Sequence, residues 1–142
     1  MNSCLVDINV WLAVSHSEHV HHSVASLWLE RLESTAYFCR PTQLGYLRLL
    51  TNPHVMGESV RTQRQAWEAY NALLSDVRID FLQEVVGLES HFRALTQAAS
   101  HSPNTWGDAY LGAFARASGL TIVSLDGVFR TMPGVDAIIL RS

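Results

Sequence analysis

Apolar residues fall into two patterns along this chain: short unbroken runs, and longer stretches with helical spacing. The apolar runs at residues 4–7, 36–39 and 120–125 predict strands, because a strand covered on both faces has no polar side to alternate with, and the stretches 77–81 and 135–140 predict two more. Between them, Val20, Val24, Leu27, Trp28 and Leu32 recur every three or four positions. They predict an amphipathic helix over about 19–33, after a shorter one over 9–15. Thr42 has the chemistry of an N-cap for a helix running to about Leu50, which Asn52-Pro53 then stops. Ala66, Trp67, Tyr70, Leu73 and Leu74 mark the next helix, and residues 88–99 another, broken by His101-Ser102-Pro103-Asn104. Trp106, Tyr110, Phe114 and Ala117 form one stripe of the following helix, with Gly119 as its stop. Strands alternating with helices predict an α/β fold with a mostly parallel sheet covered on both faces, in a single domain over residues 1–142.

Three aspartates stand where this pattern changes. Asp7 closes the first strand, Asp126 follows the run 120–125, and Asp108 opens the helix that carries Tyr110 and Phe114. Ligands of open α/β sheets bind at the carboxyl ends of the strands. Carboxylates gathered there repel one another and lose hydration, a cost that a hard cation removes. Each also has an ordinary structural explanation: a turn cap for Asp7, a helix-dipole partner for Asp108, and a turn pair for Asp126-Gly127. Their joint placement on one expected side of the sheet favours a metal site.

Composition narrows the chemistry. The net charge is −3, so the chain is not a polybasic nucleic-acid binder, and any such contact must be local. All ten basic residues are arginine. Without lysine there is no P-loop and no Schiff base, and a phosphatase on a similar sheet is disfavoured. The mean hydropathy of +0.09 suits a compact chain, and no apolar run approaches the ~18 residues of a membrane span. Cys4 and Cys39 lie in apolar surroundings and suit buried free thiols in a reducing compartment. A cytoplasmic protein is expected. His16, His19, His21 and His22 invite a zinc reading, but no partner motif completes a tetrahedral set, and the polar start of a helix is the reading preferred. Trp106 is expected in the core, with stacking on a base as the alternative.

The aspartates and their surroundings resemble a known family. Leu5-Val6-Asp7-Ile8-Asn9-Val10-Trp11-Leu12 is similar to the opening motif of PIN-domain ribonucleases. Gly107-Asp108-Ala109-Tyr110-Leu111 and Ser124-Leu125-Asp126 resemble the third and fourth motifs, in the family's order. Residues 42–53 resemble the second-motif segment of some VapC-type toxins. The resemblance runs from residue 3 to about 140, and implies a PIN-like three-layer α/β/α sandwich. It also implies a Mg²⁺-dependent endoribonuclease, with Mn²⁺ as the alternative ion, acting as the toxin of a toxin–antitoxin pair. A homodimer and a cognate VapB-type antitoxin that covers the active site are further implications. Asp7, Asp108 and Asp126 would hold the ion or its waters, and a metal-activated water would attack phosphorus without a covalent intermediate.

One position departs from the family. The second motif usually carries Glu, and Gln43 stands there, with no other acid between Glu33 and Glu58. The site then holds about three negative charges instead of four, which predicts weak occupancy of a second metal site and tighter binding on Gln43→Glu. It also keeps a rival reading open, a catalytically impaired PIN module that binds RNA or a protein without cleaving. Asn9 is a candidate to point back at a metal water or a carboxylate, or else to cap the helix start. Arg40 and Arg48 flank the second motif and are candidate contacts for RNA phosphates.

Overall fold

A computed structural model describes residues 2–99 and 101–141. Its centre is a five-stranded sheet in which every neighbouring pair is parallel. The strands are β1 (Cys4–Val6), β2 (Ala36–Phe38), β3 (Ile79–Phe81), β4 (Thr121–Ser124) and β5 (Ala137–Ile139), in the spatial order β3-β2-β1-β4-β5. The chain therefore winds outward from β1 on one side and returns to its other side through β4. The reversal between β1 and β4 is the switch point at which such sheets open a crevice. Register there is set by Val6 opposite Val123, extended one step by Asp7 N–H donating to the Val123 carbonyl at 2.9 Å.

Both faces of the sheet are covered, which is why its central strand β1 carries no polar alternation, whereas the edge strand β3 exposes Asp80 between Ile79 and Phe81. Cys4, Val6 and Val123 pack with α1 (Ile8–Ser15), α2 (His22–Arg31), α3 (Arg40–Leu50) and α5 (Gln63–Leu74). Leu5 and Ile122 face the other way, toward α6 (Leu88–Leu95) and α7 (Trp106–Ser118). The first layer is anchored by Trp11, fully buried and stacked on Phe38 with ring centroids 4.1 Å apart. Gly45 of α3 lies so close to Ile8 that a Cβ there would overlap the Ile8 side chain. That close approach holds α3 against the helix that begins at Asp7.

Several expected boundaries move. Helix α2 starts at His22 rather than His19, and Val20, placed on the buried stripe, is 83% exposed. The segment before it is instead a turn, in which the His19 ring accepts from the His21 N–H. Thr42 is not the N-cap of α3. Cys39 takes that place, and Thr42, at the third helical position, accepts from the Cys39 N–H at 2.9 Å. The helix is thus capped from inside, and it starts earlier than a Thr N-cap would allow. Asn52 does more than end α3: its side chain accepts from the His54 N–H and starts the short helix α4 (Pro53–Met56). Strand β3 loses Val77, which is turned into solvent while Asp76 accepts from the Arg78 N–H and pairs with its guanidinium at 2.7 Å. Helix α6 ends at Leu95, short of residue 99. Among the described residues no helix is long and apolar enough to cross a membrane.

Candidate active site

Asp7 and Asp126 are brought to the switch point because β1 and β4 end side by side. Asp7 leaves β1 as the N-cap of α1, its Oδ1 accepting from the Ile8 N–H at 2.8 Å. Its Oδ2 accepts from the Ser124 hydroxyl at 2.7 Å. Ser124, fully buried at the end of β4, in turn accepts from the Asp126 N–H at 2.9 Å. Asn9 closes the arrangement: its amide nitrogen donates to Ser124 Oγ at 3.5 Å, and its Oδ1 accepts from the Leu125 N–H at 3.3 Å. The capping alternative for Asn9 is thus set aside, since Asp7 caps α1 and Asn9 reaches across to the β4 end.

Asp126 is exposed and caps the following 3₁₀ turn, Gly127–Thr131, through Oδ1 at 3.0 Å from the Val128 N–H. Asp108 stands in the first turn of α7, half-buried. Burial raises its carboxyl above the usual range, and the charges of Asp7 and Asp126 raise it further. Burial also raises Asp7; its bonds from Ser124 and Ile8 pull it back, and the charge of Asp126 pushes it up again. The three carboxylates thus feel one another across the crevice. They do not converge on one point: among the described residues no three Asp, Glu, His or Cys side chains are grouped closely enough to hold one ion between them.

Gln43 is buried on α3, and its side-chain oxygen is already engaged. Oε1 accepts from Arg40 Nη1 at 2.6 Å, and the Arg40 guanidinium lies 4.6 Å over the Phe81 ring. Nearby, burial raises the Tyr70 hydroxyl, while the Gln43 amide and the Arg40 charge pull it down. Arg48 is exposed in the last turn of α3, beside Leu44 and Trp67 in a separate shallow groove. Cys39 and Cys4 are buried free thiols, both raised chiefly by burial. His22 Nδ1 is bonded to the Ala13 carbonyl at 2.7 Å, tying the histidine-rich turn to α1.

Sequence reasoning missed Ser124 and Glu84. Ser124 had a signal, a polar residue at the end of a largely apolar strand, two positions before Asp126. Glu84 had none: it follows β3 and accepts from the Tyr110 hydroxyl at 2.7 Å, a contact that only the fold creates. Trp106 is not a core residue; it is 55% exposed, with an edge contact to Phe92 at 6.0 Å between centroids.

A parallel sheet with acids at its switch point defines an α/β protein with a polar crevice at its strand ends. The chain belongs to the PIN domain family, whose profile matches residues 4–135. It is 42% identical over 138 residues to ribonuclease VapC41 of Mycobacterium tuberculosis, covering 93% of this chain and 94% of that protein. The fold is shared with VapBC2 of Rickettsia felis, solved bound to a DNA fragment from its promoter (TM-score 0.70, 12% identity, 98% and 99% of the two chains). It is also shared with Mycobacterium tuberculosis VapC20, described as a toxin that cleaves the sarcin–ricin loop (TM-score 0.66, 18% identity, 90% and 93%).

Proposed function

We propose that this chain is a metal-dependent endoribonuclease, the toxin of a VapBC-type toxin–antitoxin pair. The observation that carries the reading is the placement of acids at the β1/β4 switch point, where Ser124 links Asp7 to the Asp126 N–H and Asp108 stands in the first turn of α7. The 42% identity to a protein named a ribonuclease supports the reaction class. Likeness to a VapBC assembly supports an antitoxin partner, and a homodimer remains the family expectation.

The donor set fits a small hard cation. It consists of carboxylates with amide and hydroxyl oxygens beside them. Spaced acids suit Mg²⁺, which keeps several waters and takes only one or two carboxylates directly, with Mn²⁺ as the alternative. Asp7, Asp108 and Asp126 would hold it, directly or through its waters. When bound, such an ion polarises a phosphate oxygen and lowers the pKa of a coordinated water.

The chain's own residues do the rest. Ser124 and Ile8 hold Asp7 in one orientation, and Asn9 locks the β4 end against it. Ser124 is not a nucleophile: it is fully buried and its proton is donated to Asp7, so no covalent intermediate is formed on it. Arg40, held by Gln43 and Phe81, offers a pre-oriented guanidinium to an RNA phosphate, and Arg48 a second, unbraced one. The working compartment would be the cytoplasm, where RNA is available.

The test is cleavage of single-stranded RNA by the purified chain with Mg²⁺ or Mn²⁺, with chelator, and with Asp7→Asn. Cleavage lost in both controls supports the nuclease. One observation favours the rival, non-cleaving module: the Gln43 oxygen is engaged by Arg40. Equal growth arrest on inducing wild type and Asp7→Asn in a bacterium would establish that rival.

A further inference from the structure

Beside Asp108 a cleft of about 340 Å³ opens between the end of α6, the first turn of α7 and the 3₁₀ turn after β4. Leu95 and Met132 supply apolar wall, Thr96 and Thr131 supply hydroxyls, and Trp106 and Asp108 share its lining. A volume of this size is at the lower end of small-ligand pockets, where roughly 300–1,000 Å³ is usual. Two features need explaining. A tryptophan on a helix that buries most of its other large side chains is left 55% exposed. Its ring is also braced: Phe92 meets it edge-on with an interplanar angle of 78°, and Tyr110 holds Phe92 the same way at 85°.

An exposed indole with an aromatic ring against one edge is a stacking surface. The hydroxyls set what else fits. Thr96 donates its proton to the Phe92 carbonyl at 2.8 Å, and Thr131 to the Val128 carbonyl at 2.6 Å. Thr105, also in the lining, donates to the Ser102 carbonyl at 3.1 Å. The three threonines therefore keep lone pairs for a ligand, which accept from N–H groups, and the Ser102 hydroxyl beside them can accept or donate. A flat aromatic group bearing amino donors meets both demands, whereas an aliphatic peptide side chain would leave the hydroxyls unanswered.

Continuity with Asp108 places the cleft beside the candidate chemistry. The geometry points to a nucleobase subsite: an unpaired, amino-bearing base of the RNA stacks on Trp106 while the adjoining phosphate lies at Asp7, Asp108 and Asp126. This rests on the nuclease reading, but binding can be measured without it. Single-strand recognition by stacking contributes enough per base to be read in affinity.

The full-length chain is titrated in chelator with AMP, UMP and a short single-stranded RNA, following indole fluorescence and RNA anisotropy. Quenching should be stronger with AMP than with UMP and should vanish in Trp106→Ala. RNA affinity should fall roughly five- to a hundredfold in Trp106→Ala and be largely kept in Trp106→Phe. Circular dichroism confirms that both variants fold, as an exposed side chain leads one to expect. Unchanged RNA affinity in Trp106→Ala overturns the subsite, and if cleavage persists the nuclease reading stands without it. Trp106-dependent binding by a wild type that cleaves nothing keeps the subsite and sinks the nuclease. If Trp106→Ala loses only the co-encoded antitoxin and binds RNA normally, the cleft belongs to that protein and the proposal fails.

Discussion

Arg40 donates to Gln43 Oε1 at 2.6 Å, so the one amide that departs from the family's second motif is matched by a cation three residues before it. A glutamate at position 43 would form an ion pair with that guanidinium. The negative charge it brought would be neutralised in part before any metal felt it.

Gln43→Glu should therefore tighten Mn²⁺ binding only slightly on its own. In an Arg40→Ala background the same substitution should tighten it by a visibly larger factor. Calorimetric Mn²⁺ titration of the four proteins of this cycle measures the coupling. Equal gains in both backgrounds would mean that Arg40 does not shield the site.

Asp108→Asn should abolish metal-dependent cleavage while slightly raising the melting temperature of the metal-free protein. The amide keeps the shape and removes a charge that burial and two neighbouring carboxylates already disfavour. Thermal unfolding in chelator, beside an RNA cleavage assay, checks both halves.

The pH dependence follows from the same shifts. Asp7 and Asp108 have folded-state pKa values above the ordinary 3.8, so the fold favours their protonated forms. Their contribution to stability is complete below the unfolded value and lost as pH rises through the folded values. Metal-free protein should lose stability from about pH 4 upward through this window. Saturating Mg²⁺ should flatten that loss, and melting curves with and without the ion across this range test it.

Ser124→Ala removes the donor to Asp7 and leaves the Asp126 N–H without its partner. The expected cost is about 1–3 kcal/mol of stability, with cleavage or metal affinity falling roughly 10- to 100-fold. Denaturant unfolding and Mn²⁺ titration separate these effects. Ser124→Thr, which keeps the hydroxyl, should recover part of the metal affinity if packing admits the methyl.

Much of the fold is legible because apolar periodicity is a local property. The five strands and the helices carrying Trp11, Tyr46, Tyr70 and Phe114 all lie where the pattern puts them. Errors cluster at ends, where capping decides. Thr42 has an N-cap side chain, yet it works from inside the helix because Cys39 leaves its N–H to be satisfied. Val20 and Val77 fit apolar spacing, but turns flank them and nothing packs over them.

By itself the sequence determined the α/β alternation, the three acids at strand and helix ends, and the family they belong to. Asp7 and Asp126 are legible because a strand's end can be found from its own apolar residues. Tertiary structure alone decided what each side chain faces. Ser124 becomes the link between Asp7 and Asp126 because β1 and β4, far apart in the chain, end in register. Trp106 stays exposed although it has core spacing, because α6 ends at Leu95 and leaves a cleft in place of a cover. Periodicity specifies which face a residue occupies; contact between distant segments specifies whether anything lies against that face.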